Sequence, residues 1–163
     1  MRKLSTLELL SIGVLLIEVV DFFTASDVST REINDNNPFG VTFNPGAYDV
    51  NAYPGIIGAD TPLYQFSLMQ FGINAGFNLL LDNYFNQGTN TIDGIGTKWS
   101  GDHTGGYANS LAALTGLTPG VPLSYWIDGI NIMNGISKLE NGAGEQLPYT
   151  QLALGLLAGG FMG

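Results

Sequence analysis

The residue best placed to do chemistry in this sequence is Glu140, in the stretch "ISKLENGAGEQLPY" at residues 136 to 149. Met133, Ile136 and Glu140 stand three and four residues apart, so on a helix they share one face and the acid extends an apolar stripe. It also falls in the last turn of that helix, where unpaired carbonyls make the local potential negative. Both effects disfavour the ionised carboxylate and raise its pKa, the property a general acid needs near neutrality. Asn141 and Gly142 then supply a turn that leaves the carboxyl at the edge of a cleft. On spacing alone, a solvated acid at a helix end is the simpler reading.

No other group makes as good a case. Asp102 and His103 are neighbours in a glycine-rich loop, yet adjacent side chains need not converge. His103 is the single histidine and cysteine is absent, which excludes zinc sites built on several histidines or on thiolates, and any Ser-His-Asp triad would have to pass through His103. Asp49, Asp60, Asp82, Asp93 and Asp128 lack metal-ligand spacing, nothing resembles a calcium loop, and no GxGxxG run occurs. We therefore expect no metal and no cofactor.

The elements that must position Glu140 come from a chain of 163 residues, enough for one modest domain with a single core. Fourteen acids face five bases, and Arg2 and Lys3 lie at the extreme N-terminus, so nucleic acid is excluded as a partner for want of a basic surface. The 23 glycines, roughly twice average usage, are scattered without a period.

Residues 4 to 23, "LSTLELLSIGVLLIEVVDFF", are long enough to cross a bilayer but carry Glu8, Glu18 and Asp21. A basic start, an apolar run and "TAS" fit a secretory signal peptide. Glu8 resembles the start of type IV pilins, without the glycine that precedes pilin cleavage. We read the segment as an uncleaved membrane or bundle-forming helix over 1–26, with burial against other subunits as the alternative; a bundle would make the chain a homo-oligomer. Residues 24 to 37 form a polar linker, and residues 38 to 62, with four prolines, an irregular region open to a hairpin.

Helical periodicity begins at residue 63. Leu68, Phe71, Ala75 and Leu79 define one face of a helix that stops at Gly88, and Phe77, Leu80, Leu81 and Tyr84 broaden it. A short element at 91–99 follows, then a second helix marked by Tyr107, Leu111 and Leu114 and ended by Gly116. A third spans 123–140, and a short apolar helix closes the chain. The expectation is a mostly α domain over 27–163, with four or five helices around one core.

Several stretches, in order, resemble a family of phage virion-associated lytic transglycosylase-like proteins. "TREINDNNPFGV" is similar to the family's Asn-Asn-Pro opening, and "LLLDNYFNQGTNTIDGIGTKWSGDHTGGYANSLAALTGL" to its middle. "ISKLENGAGEQLPY" is similar to its closing helix with Glu-Asn-Gly and Pro-Tyr. Here "NNPFG" replaces the usual Asn-Asn-Pro-Gly-Asn, and most of the family's basic residues are missing.

The resemblance implies a lysozyme-like helical domain that cleaves bonds between N-acetylmuramic acid and N-acetylglucosamine in peptidoglycan strands. Glu140 would be the catalytic acid, Asn141 and Tyr149 its orienting groups, and Trp99 and Tyr107 surfaces for sugar rings, with a place in the core or the cleft wall as the simpler reading for both. It also implies a place in a phage virion, associated with a membrane or a vertex, that helps the genome enter the cell, with residues 4 to 23 contacting membrane or other virion subunits. A minor structural protein that keeps the fold without activity is the alternative.

Overall fold

The computed structural model describes residues 35–43, 48–60, 62–142 and 147–161. The expected N-terminal hydrophobic helix and most of the linker lie outside the described residues. Among those described, no helix is long and apolar enough to cross a membrane.

The first described segment folds around a buried asparagine. Asn37 Nδ2 donates to the carbonyls of Val41 and Tyr64, both at 2.9 Å, while its Oδ1 accepts from Val41 N at 2.8 Å. The segment lies beside a hairpin, β1 (Ile56–Asp60) and β2 (Leu63–Phe66), paired antiparallel with an irregularity between Ile56 and Gly58. Tyr64 N donates to Val41 O and Phe66 N to Asp35 O, so β2 is hydrogen-bonded along both edges.

That pairing corrects the expected start of the first helix. Residues 63 to 66 are strand, and α1 runs Met69–Asn83. The peptide groups of "LYQF" are taken by β1 on one side and by residues 35–41 on the other, leaving none for helical bonds. Leu68, assigned by spacing to the apolar face, is the exposed N-cap residue instead.

The remaining elements follow the expected order. A single 3₁₀ turn at Phe85–Gln87 leads to α2 (Ile92–Ser100), α3 (Gly106–Thr115), α4 (Tyr125–Asn141) and α5 (Tyr149–Phe161). The fold is mostly α, as expected, with five helices among the described residues. Thr91 caps α2 by accepting from Gly94 N, and Gly101 ends it in the left-handed conformation.

Phe77, midway along α1, organises the core. Its ring meets Phe39 and Tyr125 edge-on, at 6.2 and 6.4 Å between centroids. Ile73, Leu80, Ile92, Ile95, Leu111, Ile132, Met133 and Ile136 are fully buried around it. Leu114, predicted to pack beside Leu111, is exposed.

The glycine content has a local explanation where elements touch. A Cβ on Gly76 would lie 2.1 Å from the Phe39 ring, and one on Gly155 of α5 would lie 2.5 Å from the Phe77 ring. Only hydrogen fits there, which lets the 35–43 segment and α5 settle directly on α1.

Candidate functional site

Glu140 sits in the last turn of α4, partly exposed, at the edge of the core that Met133 and Ile136 enter. Its Oε1 accepts a 2.7 Å hydrogen bond from the hydroxyl of Tyr107, in the first turn of α3. Two elements 33 residues apart in sequence are thereby joined through one phenol and one carboxylate.

Tyr107 is held in place from below. Asp102 Oδ2 accepts from Tyr107 N at 3.0 Å, and its Oδ1 accepts from Thr104 N and Thr104 Oγ1 at 2.8 and 2.5 Å. These bonds, led by the Thr104 hydroxyl, bring the Asp102 carboxyl down to about 2. Asp102 is thus a cap on α3 that sets where Tyr107 begins, and its neighbour His103 is exposed.

The phenol of Tyr107 is pushed above the ordinary tyrosine range. Burial is the main cause, followed by the charge of Glu140, its hydrogen bond, and the nearby Tyr84. The raised pKa favours the protonated phenol, the form that donates to Glu140. A donor to Oε1 favours the ionised form of Glu140, opposing the effects that the sequence suggested.

The opposite side of Glu140 is formed by the turn at residues 37–41. Asn141 is buried, and its Nδ2 donates to Pro38 O at 2.6 Å and to Ser137 O at 2.9 Å, fastening that turn to the end of α4. A Cβ on Gly40, at φ +61, would lie 3.5 Å from Glu140 Oε2, so the turn passes close to the carboxyl.

Of the other expected site residues, Trp99 stacks on Tyr84 with 5.5 Å between centroids and a 32° tilt. Tyr84 is buried, which pushes its phenol up to about 12, and it is close enough to Tyr107 to act on it electrostatically. Lys98 Nζ stands 4.7 Å from the centre of the Tyr84 ring and donates to Asn83 O. Trp99 is therefore linked to the Tyr107–Glu140 pair through Tyr84. Tyr149 opens α5 and is 70% exposed, at the surface.

Sequence reasoning placed Tyr107 against a sugar ring and Asn141 beside the substrate; the geometry gives Tyr107 a hydroxyl bond to the carboxylate and turns the Asn141 amide nitrogen inward. It missed Gly40, Ser137 and the bracing role of Asn37. The available signal was "NNP", an asparagine turn before proline, which local chemistry alone could not connect to residue 140. Among the described residues no group of three or more His, Asp or Glu could hold a metal ion.

No protein-family model matches the chain, and no curated protein is similar to it.

Proposed function

We propose that this chain is a virion-associated, lysozyme-like protein that cleaves the glycosidic bond between N-acetylmuramic acid and N-acetylglucosamine in peptidoglycan. The observation that carries the reading is the 2.7 Å bond from the Tyr107 hydroxyl to Glu140 Oε1. It fixes a partly exposed carboxyl in one orientation at the end of α4.

In the reaction, the Glu140 carboxyl donates its proton to the glycosidic oxygen as the bond to the muramic acid anomeric carbon breaks. The resulting carboxylate accepts the proton of the sugar's own primary hydroxyl, whose oxygen closes onto that carbon to give an anhydro ring. One carboxyl group serves both steps. Tyr107 holds it throughout, Trp99 offers a ring face to a sugar, and Tyr149 orients the glycan from the surface.

The second reading, a structural virion protein that keeps the fold without activity, draws on the same bond. A phenol that favours the Glu140 carboxylate works against an acid that must be protonated. Peptidoglycan zymography with wild type and Glu140→Gln separates the two. Clearing by wild type and none by the mutant is expected; no clearing by wild type, or equal clearing by both, removes the catalytic assignment.

A further inference from the structure

α4 carries two Asn-Gly pairs, Asn134–Gly135 in its middle and Asn141–Gly142 at its end. Such a pair can modify itself, because glycine has no side chain to keep its peptide nitrogen from the asparagine amide carbon. The glycine nitrogen, on losing its proton, bonds to Cγ, the Cγ–Nδ2 bond breaks and ammonia leaves, which closes a five-membered succinimide. Water then opens either carbonyl of that ring, to give aspartate or isoaspartate. The reaction needs only water and the freedom to bring nitrogen and Cγ together.

The two pairs differ in that freedom. Gly135 is packed against α3: an added Cβ would lie 2.7 Å from Leu111 Cδ1 and 2.8 Å from Thr115 Cγ2. The helix continues past it to Asn141, so its peptide group moves only when α4 unfolds. Gly142 is exposed, stands at φ +95 beyond the last helical residue, and an added Cβ there would meet nothing within 4 Å. What restrains the second pair is the asparagine side chain. Asn141 is buried, and its Nδ2, bonded to Pro38 O at 2.6 Å and to Ser137 O at 2.9 Å, is drawn back along α4 away from Gly142. Pro38 belongs to a short turn, closed by Gly40 N donating to Asn37 O at 3.0 Å and Val41 N to Asn37 Oδ1 at 2.8 Å. Release of that turn removes the tie to Pro38 while the helices stay folded.

We propose that Asn141–Gly142 is a self-modification site that reacts in the folded protein through local release of the 37–41 turn. The product then keeps the turn from closing again. An aspartate carboxylate at 141 has acceptors only, and it would face the carbonyls of Pro38 and Ser137, to both of which the amide donated. Isoaspartate also lengthens the backbone by one methylene at the end of α4. Modification therefore turns a reversible opening into a permanent one, and it loosens the turn whose Gly40 lies beside Glu140. The inference does not depend on the glycan reading.

Asn134–Gly135 serves as the internal reference. The full chain is incubated in mildly alkaline buffer, both native and unfolded in urea, then digested, and peptide mass spectrometry follows amide-to-acid conversion at the two positions. Each pair is compared with its own rate in urea. Folding should slow Asn134 at least ~10-fold more than Asn141, because only Asn141 reacts through a local opening. Equal slowing of the two overturns the proposal, since the opening is then global, and so does an Asn141 that converts in urea but stays intact in the folded protein. Hydrogen exchange on Asn141→Asp tests the consequence: the Gly40 and Val41 amides should exchange at least ~10-fold faster than in wild type, with the helices still protected. Exchange of those amides at the wild-type rate overturns the release of the turn.

Discussion

At its C-terminal end α4 commits its polar side chains to specific partners: Ser137 and Asn141 are buried, Asn141 reaches Pro38 O, and Glu140 receives the Tyr107 hydroxyl. At its N-terminal end the same helix buries Tyr125 against Phe77 and brings apolar side chains to the surface, Ile127 the most exposed of them at 82%. One end is fixed by directional bonds in a partly desolvated setting, and the other is built mainly from apolar contacts. A hydrogen-bonded end holds one geometry, as chemistry requires, whereas apolar contacts depend on area more than on registry.

The largest effect should come from breaking the fixed end at its most buried point. Asn141→Ala leaves Pro38 O without this donor in a buried setting, and should lower stability by about 1–3 kcal/mol. Urea unfolding measures it, and a loss below ~0.5 kcal/mol would mean that the 37–41 turn does not depend on this bond.

Tyr107→Phe keeps the ring and removes the donor, so a smaller loss of about 0.5–1.5 kcal/mol is expected. Its pH dependence sharpens the point. The folded-state pKa of Tyr107 is raised, so its contribution is complete below the ordinary phenol value near ~10 and is lost as pH rises above it. Tyr84, pushed up to about 12, and Tyr125 behave in the same way. Wild type should therefore lose stability steeply above that pH, and Tyr107→Phe less steeply. Parallel alkaline denaturation curves for the two proteins would contradict this account.

At the apolar end the smallest change is expected. Ile127→Ser, at a side chain already in water, should alter stability by no more than ~0.5 kcal/mol. A thermal melt that drops by several degrees would show that Ile127 is covered in solution, and the contrast between the two ends would then fail.

Much of this was legible in the sequence. Three- and four-residue spacing gave the helices from Met69 onward, because a buried stripe must recur at the helical period whatever packs on it. Gly116 marked a helix end for a similarly local reason. Residues 63 to 66 misled, since Leu63 and Phe66 fit a helical face as well as a strand. Bonds from residues 35–41, far away in sequence, decided the matter. Glu140 could be singled out by its place at the end of an apolar stripe. Its partner could not, because 33 residues separate it from Tyr107 and nothing local pairs them.

By itself the sequence determined the helical class, the absence of thiolate chemistry, and the position of one carboxyl at a helix end. These follow from composition and period, which act over a few residues at a time. Only the tertiary structure decided what surrounds that carboxyl: the Tyr107 phenol set by the Asp102 cap and the Pro38–Gly40 turn fastened by Asn141. Each depends on which helices meet, and that is fixed where glycines such as Gly76 and Gly155 allow backbones and rings to close to contact distance.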